Sequence, residues 1–400
     1  MRKKLVYAAF LVFYSMEYLL LKIIPFRKEK SILIVRLDAI GDFIIWLDAA
    51  KQIKKYFPDK HLVLLCNLIC KDIAERIPYF DEIIAVDSNK IFKHLLYRLK
   101  SLIALKKRHF EQIINPVFSR DFFVHDTLIH HLCSDKKIGY KGDYQNTKIK
   151  LLGFGITEEK YTKYLEVKAN KWYSALIESL PQPLMELNKN AAFIRHYFDP
   201  SFRSQMPVVP FQIPATHQKP EQKYIVFFLG ASMIRKVWPI ANYAELIENV
   251  DPGYEIVLCG GKEDKPHYEE FKKINVANRI IKNLVGKTTL IELISIIKQA
   301  VYIITNDTSA SHIAVAVRTP SVCILSGAHY GRFQPYVVEM LKEVEKKYLP
   351  KIANCFMDCY DCNHVCKYIP DKNTTYPCVA KISPQQVIKK IMEIENESID

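Results

Sequence analysis

Apolar residues gather in short runs along this chain, and longer stretches of mixed polarity separate them. Ile32–Leu37 (ILIVRL) is an apolar run too short for a helix and rich in β-branched residues, the pattern of a parallel strand buried on both faces. A helix follows from about Phe43 to Phe57, with apolar residues at Ile45, Ala49, Ile53 and Phe57, and Pro58 ends it. His61–Cys66 and Glu82–Val86 read as the next strands, with a short helix over Lys71–Ile77 between them and a fourth strand over Gln112–Asn115. Residues 199–222 hold Pro200, Pro207, Pro210, Pro214 and Pro220 and little periodicity, which marks a linker. The alternation then resumes, with strands over Tyr224–Leu229, Glu255–Cys259, Val301–Thr305 and Ser321–Leu325. Helices over Ile240–Val250, Thr289–Gln299 and Ser309–Val317 separate them, and Thr289 with Glu292 forms a capping box. Strand–helix alternation of this kind predicts doubly wound α/β domains. We expect two, over 31–205 and 223–400, joined by a linker at 206–222 and binding ligands in the cleft between them.

Ahead of the first strand lies a different pattern. Residues 5–26 (LVYAAFLVFYSMEYLLLKIIPF) follow Arg2-Lys3-Lys4. As a helix they reach roughly 33 Å, just enough for a bilayer core. Glu17 and Lys22 would each cost about 2.5–3.5 kcal/mol near the centre of a span. On a helical wheel Tyr14, Ser15, Glu17, Tyr18 and Lys22 share one side, while Leu19, Leu20, Ile23 and Ile24 take the other. That arrangement predicts a helix lying in the membrane interface, over residues 1–30, with a true span and a buried packing helix as alternatives. No small-residue cleavage site follows the run, which argues against a signal peptide.

Composition narrows the classes further. Of 400 residues, 49% are apolar and 25% charged, which excludes a disordered or fibrous chain. The net charge of +14 asks for an anionic partner: nucleic acid, acidic phospholipid or a phosphorylated small molecule. Ten cysteines do not make a secreted disulfide framework. Cys66, Cys70, Cys133, Cys259 and Cys323 are scattered, whereas Cys355, Cys359, Cys362, Cys366 and Cys378 crowd one C-terminal segment.

Three strand exits carry candidate chemistry. The first reads Arg36-Leu37-Asp38-Ala39-Ile40-Gly41-Asp42. Gly41 suits a tight turn that a ligand can approach, and Asp42 is either a helix N-cap or a catalytic base. The G-x-G-x-x-G spacing of a dinucleotide site is absent. The second is Gly230-Ala231-Ser232 followed by Arg235, Lys236 and Trp238-Pro239, a turn that can hold phosphate oxygens, or else a solvated basic loop. The third is Asn306-Asp307-Thr308-Ser309-Ala310-Ser311-His312, small hydroxylated residues opening a helix, which fits phosphate or sugar binding and equally plain capping.

Taken in order, these segments and Asn283-Leu-Val-Gly286-Lys287-Thr288-x-Leu290 resemble the bacterial lipopolysaccharide heptosyltransferases of glycosyltransferase family 9. The resemblance covers roughly residues 31–390. It implies a GT-B fold, two facing Rossmann-like domains, and inverting, metal-independent transfer from a nucleotide sugar of the ADP-heptose kind. The acceptor implied is a lipid A–core or related glycolipid, at the cytoplasmic face of the inner membrane, with an anionic membrane surface as a further partner. Asp42 matches the family's catalytic base and Lys236 the lysine that offsets charge on the leaving diphosphate. Gly230, Ala231, Ser232, Thr308, Ser309 and His312 fall in donor-binding motifs, and Asp307 matches the residue that positions the donor sugar. Ser309 stands where family members commonly have glycine, which bears on the shape of the donor pocket.

The C-terminal cysteines are spaced C-x₃-C-x₂-C-x₃-C-x₁₁-C. Cys359, Cys362, Cys366 and Cys378 suit a structural zinc site, although a second C-x₂-C pair is missing. Reduced or disulfide-linked packing and an iron–sulfur or redox role are the alternatives. Two other functions compete with transfer. A nucleic-acid-binding protein would need its basic residues on one face, whereas Lys and Arg are spread along the chain, so no nucleic acid is expected. A catalytically silent sugar-binding relative is disfavoured because both Asp42 and Lys236 are present.

Overall fold

In the computed structural model, thirteen strands among the described residues build two wholly parallel sheets. The structure describes residues 2–144, 159–178, 180, 182, 184–216, 219–274, 276, 279–368 and 373–397. The first sheet comprises β1 (Arg27–Lys28), β2 (Ser31–Arg36), β3 (His61–Asn67), β4 (Glu82–Val86), β5 (Arg108–Asn115), β6 (Cys133–Tyr140) and β7 (Ala175–Ile177). Its order is β4-β3-β2-β5-β6-β7, with β1 pairing β5. The second comprises β8 (Tyr224–Phe228), β9 (Glu255–Cys259), β10 (Ile281–Asn283), β11 (Ile303–Asn306), β12 (Ser321–Ile324) and β13 (Lys351–Ala353), in the order β10-β9-β8-β11-β12-β13. Each sheet winds outward one way from its middle and then reverses, between β2 and β5 in the first and between β8 and β11 in the second. That reversal leaves a crevice at the carboxyl ends of β2 and β5, and another at β8 and β11, where ligands of doubly wound folds bind. β2, β8, β11 and β12 are buried along their whole length, which is why they read as unbroken apolar runs.

The chain divides into two compact units. One holds 1–39, 49–182 and 189–202; the other holds 40–48, 183–188 and 203–400. In the first, Leu33, Val35, Val63, Leu65, Phe110 and Ile113 pack on Leu102, Leu128 and Ile129. In the second, Ile225, Phe227, Ile256, Leu258 and Ile304 pack beneath Trp238, Tyr243, Leu246 and Ile247. The Pro-rich segment has neither helix nor strand between 203 and 216, yet it is not suspended: the Val209 N–H donates to the Ala316 carbonyl at 3.2 Å. His217 and Gln218 of that segment lie outside the described residues.

Helix Arg2–Lys22 turns Tyr14 and Glu17, from the polar side of its wheel, toward the protein, while Ser15 and Lys22 of that side are exposed. Glu17 is 2% exposed and accepts two hydrogen bonds from the Arg98 guanidinium, at 2.7 and 2.8 Å, and meets His131 Nε2 at 2.8 Å. Tyr14 and Leu21 are buried beside it, while Val12, Met16, Leu19, Leu20 and Ile23 are exposed. Burial alone would push the Glu17 carboxyl up, but His131 and Arg98 hold it below its ordinary range, so the pair stays ionised. A buried carboxylate with a bidentate guanidinium keeps this side on the protein, which the helical wheel could not reveal. No helix among the described residues is long and apolar enough to cross a membrane.

Candidate functional site

The second unit places its polar groups where its sheet reverses. β8 runs into Leu229 and Gly230, then into a 3₁₀ turn, Ile234–Lys236, that returns the chain to helix Ile240–Asn249. β11 ends at Asn306, and Thr308 caps helix Ser309–Val317, its hydroxyl accepting from the Ala310 N–H at 3.3 Å. Asn306 ties the two exits together. Its Nδ2 donates to the carbonyls of Gly230, Leu229 and Phe228 at 2.9, 3.3 and 3.4 Å, and its Oδ1 accepts from the Trp238 N–H at 3.0 Å. A fully buried amide with this many partners fixes the turn that carries Lys236.

Lys236 reaches across to Asp307. Nζ and Oδ2 are 2.7 Å apart, and the two side chains are only 11% and 8% exposed. The Ser326 hydroxyl donates to the same carboxylate oxygen at 3.3 Å. Burial presses the Asp307 carboxyl upward, yet the Lys236 ammonium, aided by His312 and His329, holds it below the ordinary carboxylate range. His312, one turn into its helix, pairs through Nδ1 with the Tyr336 hydroxyl at 2.8 Å. Burial pushes its imidazole down to about 4, with Asp307 opposing and Lys236 adding to the shift, so the ring is neutral at physiological pH. His329 meets Asn363 Oδ1 at 2.8 Å and is likewise held low by burial.

Gly41 packs against this group. A Cβ there would lie 2.9 Å from His312 Cδ2 and 3.6 Å from the Ser309 Cα, so a side chain at 41 would collide with the ring. Asp42 follows as the third residue of helix Ile40–Tyr56, half-buried in its first turn. The helix N-cap is Ala39, which excludes the reading of Asp42 as the capping residue. Gly230 is equally constrained: a Cβ would stand 1.8 Å from Asp264 Oδ1. Ala231 is half-buried, and Ser232 is exposed with no hydrogen bond to any described residue. Arg235 stacks its guanidinium 5.6 Å from the Tyr376 ring centroid, which argues against a simple solvated loop.

Lys236, Asp307, Thr308, Ser309, His312 and Gly41 thus come together. The residue reading did not single out Asp264, Ser326, His329 or Tyr336. Three of these follow strand exits it had not considered: Gly260-Gly261-x-x-Asp264 after β9, and Ser326-Gly327-Ala328-His329 after β12. The carboxyl-end position of both segments was the available signal.

Comparison with known proteins is consistent throughout. The family model of glycosyltransferase family 9 (heptosyltransferase) matches residues 159–350. Lipooligosaccharide heptosyltransferase 2 of Haemophilus influenzae is 24% identical over 329 residues, which cover 78% of this chain and 86% of that one. Lipopolysaccharide heptosyltransferase 1 of Campylobacter coli is 22% identical, covering 91% and 98%. By these matches the chain is similar to the heptosyltransferases of glycosyltransferase family 9. Among solved structures, the Escherichia coli ADP-heptose lps heptosyltransferase II superimposes with a TM-score of 0.62 at 18% identity, covering 92% of this chain and all of that one. A family 9 glycosyl transferase from Veillonella parvula gives 0.67 at 15% identity, covering 93% and 99%. The two-sheet α/β fold is therefore of the GT-B type. These similarities give the nucleic-acid-binding alternative no support.

For the cysteine tail, the structural zinc site that its spacing suited finds no support among the described residues. Cys359, Cys362, Cys366 and Cys378 do line one small cavity, of about 10 Å³, together with Met357 and Tyr376. Among the described residues, however, no three His, Cys, Asp or Glu side chains are grouped so as to hold a metal ion. None of the ten cysteines, all among the described residues, is in a disulfide. Cys378 opens the short helix Pro377–Ala380 in the hydrophobic core, where its Sγ accepts from the Gly327 N–H at 3.5 Å. Cys359, Cys362 and Cys366 stay half-buried on turns in which Asp361, Asn363 and His364 take positive φ.

Proposed function

We propose that this chain transfers a heptose-type sugar from a nucleoside-diphosphate donor, ADP-heptose, to a lipopolysaccharide-core or related glycolipid acceptor. The observation that carries the reading is the buried Lys236–Asp307 pair at the reversal point of the second sheet. Residues 31–205 are assigned to the acceptor and 223–400 to the nucleotide sugar. Asp42 takes the proton of the acceptor hydroxyl as its oxygen bonds to the anomeric carbon. The bond from that carbon to the diphosphate breaks on the opposite face, which inverts the configuration. Negative charge then grows on the departing diphosphate. Lys236 neutralises it, and Ser232 with the N–H groups of Thr308 and Ser309 supplies hydrogen bonds. Asp307 orients the Lys236 ammonium and accepts hydrogen bonds from the donor sugar. No metal is required on this route, because a lysine and a helix start do the neutralising.

The acceptor's lipid places the work at the cytoplasmic face of the inner membrane. The outward apolar side of helix Arg2–Lys22 supports this, with Lys22, Arg27 and Lys28 following it in a chain of net charge +14. The test is release of ADP from ADP-heptose on addition of a heptose-deficient lipopolysaccharide core, with and without EDTA. Turnover that survives the chelator and vanishes in Asp42→Asn supports the reading, and undiminished turnover in that variant refutes it. A panel of nucleotide sugars in the same assay identifies the donor.

A further inference from the structure

A cavity of about 290 Å³ opens in the first unit against helix Arg2–Lys22, lined by Tyr18, Leu19, His130, His131, Lys168 and Trp172 among others. Helix Thr127–His131 ends there, immediately before β6 begins at Cys133. The cavity therefore lies at the amino edge of its sheet, whereas the candidate chemistry follows strand carboxyl ends. Its wall is an aromatic stack: His130 lies parallel to Tyr18 at 4.6 Å and to Trp172 at 4.2 Å between centroids. Lys168 has no ion-pair partner among the described residues, and Lys106, Lys137 and Lys168 all act electrostatically on His130. His131 is 1% exposed; Nε2 meets Glu17, but Nδ1 is buried without a hydrogen-bond partner among the described residues. Because Nε2 carries the proton toward a carboxylate, Nδ1 is an acceptor waiting for a donor. Leu19 lines the cavity and is also 63% exposed, so it connects the cavity to the outward apolar stripe of Met16, Leu20 and Ile23.

We propose that this cavity binds the headgroup of an anionic phospholipid, a phosphate ester bearing a hydroxyl group. The phosphate meets Lys168, a headgroup hydroxyl donates to His131 Nδ1, and the acyl chains leave past Leu19 along the apolar stripe. The volume stands at the lower end of the range for ligand pockets, which suits a headgroup rather than a whole lipid. A free phosphate ester satisfies the same polar groups, but the exposed stripe at the mouth favours the bilayer. The inference rests on the membrane-face reading above and is separable from it by experiment.

The full chain is sedimented with vesicles of phosphatidylcholine, with and without 30% phosphatidylglycerol, while tryptophan emission is followed with dihexanoyl-phosphatidylglycerol and with glycerophosphate. Trp46 and Trp238 are fully buried, so a ligand-induced change reports Trp172, and Trp172→Phe verifies the assignment. Lys168→Met keeps the aliphatic stem and removes the charge. Affinity for the anionic vesicles should fall about fivefold in this variant, the effect of one lysine near an anionic surface, and the emission change should disappear. Equal vesicle binding by both proteins, with unchanged emission, overturns the cavity and leaves the membrane reading standing. Absence of vesicle binding by the unsubstituted chain overturns the membrane reading. An emission change with glycerophosphate in that case overturns the lipid headgroup in favour of a soluble ester.

Discussion

The Lys236–Asp307 pair offers a quantitative test. Both side chains are nearly out of solvent and 2.7 Å apart, so removing either one strands a buried charge. Breaking such a pair costs about 3–5 kcal/mol, while replacing both partners with apolar residues of similar size is often neutral. Lys236→Met and Asp307→Leu should each lower the thermal midpoint of the second unit by about 6–20 °C, taking roughly 2–4 °C per kcal/mol for a domain of this size. The double variant should recover most of the loss. Calorimetry of the four proteins closes a double-mutant cycle, and a coupling energy of several kcal/mol is expected. The pH dependence follows from the depressed Asp307 carboxyl. A group held below its unfolded value stabilises above that value, about 3.9, and the gain is lost as pH falls through the folded value. The stability gap between the unsubstituted chain and Asp307→Leu should therefore be full above about pH 5 and shrink under acid. Single losses below about 1 kcal/mol that simply add would show that the pair is solvated and refute its assigned role in holding Lys236.

Further outcomes are expected at neighbouring positions. Asp42→Asn should lower kcat by about 10²–10⁴ while donor binding, followed by calorimetric titration, stays within a factor of about two. Gly230→Ala should destabilise by roughly 1–3 kcal/mol because its Cβ meets Asp264, and Asp264→Ala in the same chain should relieve most of that in urea unfolding. The His312 ring, held down to about 4, makes stability fall as pH drops from about 6.5 toward that value, and His312→Gln should flatten this part of the profile. Thiol titration in denaturant without reductant should count all ten cysteines, and a deficit of two would reveal a disulfide.

Much of the framework was legible because buried parallel strands have little choice of composition. β4 and β9 match the expected Glu82–Val86 and Glu255–Cys259 to the residue, as does helix Ser309–Val317. β6 was missed because its first half, Cys133-Ser134-Asp135-Lys136-Lys137, is polar and partly exposed, so no apolar run announces it. Helix Pro384–Asn396 passed unread although its signals were present: the Ser383 capping box, Pro384 at the first position, and Val387, Ile391 and Ile394 at helical spacing. At the candidate site, residues that open helices after apolar strands were visible. Those supplied by strands β9 and β12 depend on winding order, which no local pattern encodes. The helical wheel separated the two sides of the first helix but could not say what each side meets. A single buried Glu17–Arg98 contact across 81 residues decides that question, and periodicity is blind to it.

An anchor is usually imagined as a tether that can be cut away to leave the enzyme intact. The helix Arg2–Lys22 cannot be cut so cleanly, because Arg98, itself 3% exposed, owes its carboxylate partner to Glu17. Deleting the helix uncovers a guanidinium and a histidine in the heart of the first unit. A chain truncated past this helix should lose the fold of the first unit, so the outward apolar side of the helix and the stability of that unit would have to evolve as one trait.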